Sequence, residues 1–310
     1  MTANQILELQ GLNKSDKIRL LLASGVAHSE IATLLQVNAG FIRNIQAKVY
    51  GVKHQRKVRE GVYTFSRTFG IEIEAFGVER ATLAAALREA GIACQTEFYN
   101  HTTQAHWKVV TDGSVRGDLP FELVSPVLKG EEGLQQLKVV CEVLRRLNAK
   151  VNKTTGLHVH LGVGELEHDL KFWRNLLSNY AALESSIDAV MPESRRGRNN
   201  NYCRQIAQPD LLRKLQGCRD LRSIERVVTG GNRYYKVNMQ SFWRQRTVEF
   251  RQHSGTVEFE KIANWVRLLS RLVEFSRHSE VVEKSFTGLR EFLTPELFDF
   301  YTQRRLKLAA

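Results

Sequence analysis

Phe69-Gly70-Ile71-Glu72-Ile73-Glu74-Ala75-Phe76 alternates apolar and acidic residues. Successive side chains of an extended strand point to opposite faces, so Ile71 and Ile73 share one face and Glu72 and Glu74 the other. Neighbouring carboxylates repel unless a cation or a Lys/Arg neutralises them. Alone, such a strand reads as half-exposed with a solvated acidic face.

Repetition changes that reading. Gly156-Leu157-His158-Val159-His160-Leu161-Gly162 sets His158 and His160 opposite Leu157, Val159 and Leu161. Thr247-Val248-Glu249-Phe250-Arg251-Gln252-His253 sets Glu249, Arg251 and His253 opposite Val248 and Phe250. Phe121-Glu122-Leu123 adds a carboxylate, and Lys236, Asn238 and Gln240 alternate with Tyr235, Val237 and Met239. Several such strands describe a sheet with one apolar, helix-covered side and one polar cradle. Carboxylates with one or two imidazoles suit Mg²⁺ or Mn²⁺ better than zinc, and an Arg beside them would face a phosphate. No Gly-x-x-x-x-Gly-Lys-Ser/Thr or Gly-x-Gly-x-x-Gly occurs, so a nucleotide would be held through metals and strand residues.

With 310 residues, 43% of them hydrophobic and 25% charged, the chain suits one large globular domain and a smaller one. Helices expected at Thr82–Ala90, Glu131–Asn148, Glu167–Val190, Pro209–Val228 and Lys261–Phe275 alternate with the strands, which makes the class α+β. Met1–Gln10 shows no cationic segment followed by an apolar run, and no long apolar span occurs, so a cytoplasmic location without membrane contact is expected. Cys94, Cys141, Cys203 and Cys218 lack metal-type spacing and read as reduced thiols.

The net charge of +12 favours anionic ligands or a polyanionic partner. Phe41–Arg59 holds six Lys or Arg and no acidic residue. Before it, Ser15–Ser24 reads as a helix, Ser29 is placed to cap a second through Leu35, and a third follows Asn38, ending at Gly51. Three short helices with a tight Gln36-Val37-Asn38 turn are similar to prokaryotic helix-turn-helix regions. That similarity places Arg43, Asn44 and Lys48 on a DNA-facing side; a helical protein-interaction module is the alternative. The expected domains are 1–60, putting DNA among the partners, a linker at 61–67, and 68–310.

The motifs Phe-Gly-Ile-Glu-Ile-Glu, Val-Thr-Asp-Gly-Ser with Phe-Glu-Leu-Val-Ser-Pro, Gly-Leu-His-Val-His-Leu-Gly and Val-Glu-Phe-Arg-Gln-His-Ser-Gly-Thr occur in that order. The set resembles the amidoligase family of the glutamine synthetase and glutamate–cysteine ligase superfamily, over about residues 68–280. The resemblance implies a curved antiparallel sheet with helices on one face. It also implies an ATP-dependent carboxylate–amine ligase, with Mg²⁺ or Mn²⁺, working through an acyl phosphate. By the same resemblance Glu72, Glu74, Glu122, His158 and Glu249 would bind metal. Arg251 would contact the transferring phosphate, and His160 would orient substrate or nucleotide. Asp112 and Ser114, with Lys108, match a loop at the substrate or phosphate end, although Asp-Gly-Ser is equally a simple turn.

Arg195, Arg196, Arg198 and Arg204, interleaved with Asn199–Asn201, read as a loop closing over phosphates or an acidic substrate, with Arg204 on the nucleotide; a solvated surface loop is the alternative. The chain departs from glutamine synthetase in its short length and single Glu on the second metal strand, so peptide or amino-acid amines are as open as ammonia. Two other readings stand beside the ligase: a DNA-binding regulator whose ligase-like domain senses a nucleotide or metabolite, and another ATP-using transfer such as guanidine phosphorylation. An oligomer is compatible with all three.

Overall fold

The computed structural model describes residues 2–50, 65–197 and 200–309, with the backbone alone at Ala39, Arg43 and 47–50. The chain divides into two units, Met1–Tyr63 and Thr64–Ala310.

The first unit contains α1 (Ala3–Glu8), α2 (Lys14–Ala23), α3 (His28–Leu35) and α4 (Ala39–Tyr50). Ile6, Ile18, Leu21, Ile31, Leu35, Ile42 and Ile45 form its core, one apolar stripe from each helix. The sequence led us to expect three helices, and α1 is an addition. It is too short to show a period, and a reciprocal pair of bonds between Thr2 and Gln5 closes its start. Ser29 lies inside α3, which begins after Ala27 with no side-chain cap. Asn38 does cap the next helix, its Oδ1 accepting Phe41 N–H at 2.8 Å. Asn44 is exposed on α4. The side chains of Arg43 and Lys48, and the basic stretch and linker from Gly51 to Thr64, lie outside the described residues.

In the second unit the strands are β1 (Thr68–Ala75), β2 (Cys94–Thr96), β3 (Trp107–Val110), β4 (Phe121–Val124), β5 (Leu128–Lys129), β6 (Gly156–Gly162), β7 (Val237–Asn238) and β8 (Thr247–Ser254). They form one open sheet in the order β2-β3-β4-β1-β6-β8-β7, with β5 also on β1. Only β2 and β3 run parallel among these pairs. The helices are α5 (Arg80–Glu89), α6 (Gly130–Arg146), α7 (Leu170–Asp188), α8 (Leu211–Gln216), α9 (Leu221–Thr229), α10 (Gln240–Gln245), α11 (Phe259–Ser276) and α12 (Pro295–Ala309).

Helices cover the apolar face, as the alternation requires. Phe69 of β1 packs on Gly133 of α6, where an added Cβ would come within 3.0 Å of its ring. Trp107 of β3 donates to Gln136 of α6 at 2.8 Å, and Phe250 of β8 lies 5.7 Å from the Tyr180 ring of α7. Ile71, Ile73, Val159, Leu161, Val248 and Phe250 are all buried on this side.

Three expectations fail, each for a local reason. The helix expected over Pro209–Val228 is two, α8 and α9; the chain breaks at Gly217, and Asp220 caps α9 by accepting Ser223 N–H at 2.7 Å. The strand expected over Tyr235–Gln240 shrinks to Val237–Asn238. Lys236 is instead fully buried in ion pairs with Glu184 (2.9 Å) and Asp188 (2.6 Å), and Gln240 opens α10. In β8 the polar alternation stops at Arg251. Leu157 pairs with His253 but Val159 with Phe250, so Arg251 and Gln252 together oppose the single His158. This bulge shifts the strand's phase by one residue. His253 therefore leaves the polar face, is buried, and lies 5.5 Å from the Trp265 ring of α11. Burial drives its pKa down to about 3, so it packs as a neutral ring.

No helix among the described residues is long and apolar enough to cross a membrane. The four cysteines are buried free thiols. Phe250→Ala removes a fully buried ring between sheet and helix layer and should cost about 3–5 kcal/mol in urea unfolding; a loss under about 1 kcal/mol would mean that this face is not the core.

Candidate active site

The polar face of the sheet is the floor of a cleft of about 1100 Å³, built wholly from the second unit. Register brings its chemistry together. Glu74 on β1 pairs with Glu122 on β4, Glu72 with His158 on β6, and His160 with Glu249 on β8. All five expected metal ligands converge on this floor, four strands each contributing side chains of the same phase.

His158 sits at the centre. Its Nδ1 lies 2.9 Å from Glu72 and 3.7 Å from Glu249, and its Nε2 lies 3.5 Å from Glu74. Two ligand groups share it: Glu72–His158–Glu249 and Glu74–Glu122–His158, the donor atoms of each within 4.8 Å of one another. Gly156 N–H donates to Glu74 at 2.6 Å, and Asn238 Nδ2 donates to Glu249 at 2.6 Å, which orients both carboxylates. His160 lies 3.3 Å from Glu72, and its Nδ1 lies 3.0 Å from Thr247 Oγ1.

The protein's own charges do not balance this floor. Burial pushes Glu72 up, but the hydrogen bond from His158 and the nearby His160 ring outweigh it and hold the carboxyl well below its usual range. Burial likewise opposes ionisation of Glu249, and Arg251 reverses the effect. Glu122 has less help. Burial, then the charges of Glu72 and Glu74, drive it well above the ordinary carboxylate range, with Arg251 opposing them only in part. A buried acid whose ionisation its neighbours oppose marks the place where a cation would settle the group. Oxygen-rich donors with a shared imidazole fit Mg²⁺ or Mn²⁺.

Arg251 projects into the cleft, bonded through Nη1 to Glu249 and through Nε to the Tyr202 carbonyl at 3.4 Å. Asp112 and Ser114 line the cleft and also form a turn, since Asp112 accepts Ser114 N–H at 2.6 Å. Lys108 lines the cleft but offers it no free ammonium. Its three N–H donors match three loop acceptors: Asn100 O (3.0 Å), Asn100 Oδ1 (2.7 Å) and Thr102 O (2.8 Å). Arg204 is a correction. It is exposed and does not line the cleft, because its backbone pairs with the 234–236 segment and turns the side chain outward. Arg198 and Asn199 lie outside the described residues.

From that loop it is Arg195 that enters the cleft, together with Asn200, Asn201 and Tyr202. Tyr99, His101, Arg233, Tyr234 and Arg244 also line it. Tyr99 comes from the β2–β3 connection at one edge of the sheet and lies close to Arg233, which precedes β7 at the other. Tyr99, His101, Arg233 and Tyr234 lie in irregular segments, where no periodicity signals direction, and Arg244 lies on α10, which has only six residues.

Behind the floor, Asp188 at the end of α7 ties three segments together. It accepts from Lys236 Nζ at 2.6 Å, from Gln252 Nε2 in the bulge, and from Gly197 N–H at 2.8 Å. Asp188→Ala should cost about 3 kcal/mol by loss of a buried ion-pair partner; faster amide exchange at 194–197 should accompany it, and unchanged exchange there would show that the segment is held by other contacts.

An open, mainly antiparallel sheet, helix-backed, with a carboxylate–imidazole cradle on its free face, defines an α+β protein with an acidic, cation-suited cleft. A family model described as "Putative amidoligase enzyme" matches residues 66–273. The chain belongs to this amidoligase family. Among solved structures it is similar to a glutamine synthase homolog, at 14% identity and a TM-score of 0.42 over 79% of this chain and 67% of that one. It is also similar to a bifunctional glutathione synthetase from Pasteurella multocida, at 14% identity and a TM-score of 0.43 over 83% of this chain. The chain spans about half the length of that synthetase, 49% of it. No curated protein matches.

Proposed function

We propose that the second unit is an ATP-dependent carboxylate–amine ligase. The observation that carries this reading is the pair of carboxylate–histidine groups joined through His158, with Arg251 beside them, on the floor of one cleft.

Glu72 and Glu249 would hold one divalent cation and Glu74 and Glu122 the other, with His158, whose neutral ring has one free lone pair, ligating one of the two. Bound there, Mg²⁺ or Mn²⁺ would offset the charge that grows on phosphoryl oxygens during transfer. The residues do the rest. A carboxylate oxygen of the acid substrate attacks the γ-phosphorus of ATP while the bond to the ADP oxygen breaks. Arg251, kept cationic by Glu249, presents its guanidinium fork to the transferring group. The amine nitrogen then attacks the acyl carbon, phosphate leaves with the acyl C–O electron pair, and the nitrogen gives up its proton to the departing phosphate. His160, on which burial is outweighed by Glu72 and Glu249 so that its pKa is raised, orients what binds at the floor. The segment Tyr99–Thr103, anchored by Lys108, forms part of the cleft wall. Peptide and amino-acid amines are the substrates to test first.

With Mg²⁺ and ATP the full chain should release ADP when offered pools of carboxylates and amines. Glu74→Ala should lower turnover at least about 100-fold, since removing even a second-shell partner typically costs 10–100-fold. Mn²⁺ at 100 times its Kd should stabilise the folded chain by about 2.7 kcal/mol. That gain should vanish in the Glu74→Gln, Glu249→Gln double variant; an undiminished gain would place the cation elsewhere.

One observation favours a second role, DNA binding, for the first unit: α3 and α4 are joined by the three-residue turn Gln36-Val37-Asn38, and six cationic residues follow without an acid from Phe41 to Arg59. Gel shifts over a salt series should show affinity falling steeply with salt; affinity unchanged after removal of residues 1–60 would end this reading.

A further inference from the structure

Among the buried Lys and Arg side chains that line the cleft, Arg195 is the exception. Arg251 has Glu249, and Lys108 has three loop oxygens. Arg195 is 4% exposed, yet among the described residues no carboxylate lies within 4.0 Å of it. Its Nη2 donates to the Thr155 carbonyl at 2.5 Å, and its Nε has no hydrogen-bond partner. Its other neighbour is the thiol of Cys203, which burial keeps protonated and which returns no charge. A desolvated guanidinium without a counter-ion is costly unless something else supplies the negative charge.

Its position says where that charge would come from. The point where a Cβ on Gly156 would stand is 3.1 Å from Arg195 Nη2, 3.1 Å from His158 Nε2 and 3.2 Å from Glu74 Oε2. The guanidinium thus borders the Glu74–Glu122–His158 group, at the opposite side of His158 from Arg251 and Glu249. A side chain at this position would crowd the approach. The segment is also held from behind: Gly197 N–H is fixed by Asp188, and the bulge residue Gln252 lies 3.5 Å from the Arg195 carbonyl. The pieces make a rigid cation aimed at a site that gathers metal ligands.

We propose that Arg195 is a second oxyanion-binding residue, which takes a carboxylate or phosphate oxygen pair of a ligand seated at the Glu74–Glu122–His158 end of the cleft. This rests on the ligase reading only for the name of the ligand: a carboxylate there is the acid substrate or a second acidic group on it, a phosphate is the nucleotide. Arg251 and Arg195 then flank the shared His158, and a substrate bridging them carries negative charge at both ends. The fork geometry predicts that lysine, with the same charge but a single point of donation, replaces Arg195 poorly.

The test titrates the full chain with succinate and, separately, with inorganic phosphate, each with and without Mn²⁺, and compares Arg195→Gln and Arg195→Lys with the parent. At least a 10-fold loss of affinity for one probe in Arg195→Gln, with a smaller loss in Arg195→Lys, is expected. Loss confined to succinate assigns the site to a carboxylate, and loss confined to phosphate assigns it to the nucleotide. Affinities within 2-fold of the parent for both probes, or a parent that binds neither, overturn the proposal. If Arg195→Gln does not fold, Arg195→Lys decides alone: a loss of 3-fold or more supports the fork, and none overturns it. Probe binding that depends on Arg195 in a protein releasing no ADP would sink the ligase reading and leave this site standing.

Discussion

Like charges held side by side on one face of a sheet are the constraint that the rest of the structure answers. Glu72 and Glu74 on β1, Glu122 on neighbouring β4 and Glu249 on β8, one strand beyond β6, share this face, and at least three of them are buried. Backbone pairing fixes the strands at their spacing, so the carboxylates cannot move apart. What the fold can do is distribute the load. His158 sits among three of the carboxylates, Arg251 and Asn238 attend to Glu249, the Gly156 amide attends to Glu74, and the hold of Glu122 on its proton is strengthened. The helices behind the sheet supply the stability that this face withholds.

The floor was legible in the sequence because strand alternation is a strict geometric rule. Every residue whose place followed from period two on β1, β4 and β6 is where the rule puts it, and so are Glu249 and Arg251. The rule fails where the chain gains a residue. Nothing in Arg251-Gln252-His253 announces a bulge, and one extra residue sends His253 into the helix layer. Lys236 misled for a different reason. A lysine is expected at a polar surface, but two acids of α7, some fifty residues earlier in the chain, made burial tolerable. The helices were found to within a few residues where their apolar stripes are long, and α1 and the α8–α9 break were missed because six residues hold too few periods.

The walls of the cleft were much less legible. Arg195 and Arg204 belong to one arginine-rich stretch, and composition gives no reason to choose between them. The structure chooses through tertiary contacts: Asp188 pins the backbone beside Arg195, while pairing with the 234–236 segment turns Arg204 outward. Likewise Tyr99 and Arg233 meet from opposite edges of the sheet, a contact that depends on the whole strand order. Family membership is consistent with the floor, since the matched segment spans every strand that contributes to it.

The bulge in β8 carries a wider consequence. It divides one eight-residue strand into two functional halves, Glu249 and Arg251 serving the cleft and Gln252 and His253 serving the scaffold. Threading this strand onto an unbulged template would seat an imidazole in the cleft and credit it with a ligand's role. It would also hide the link from Gln252 to Asp188, through which the far side of the sheet steadies the arginine-bearing wall. For anyone re-engineering the cleft, the usable face of β8 ends at Arg251, and changes beyond it alter the chassis.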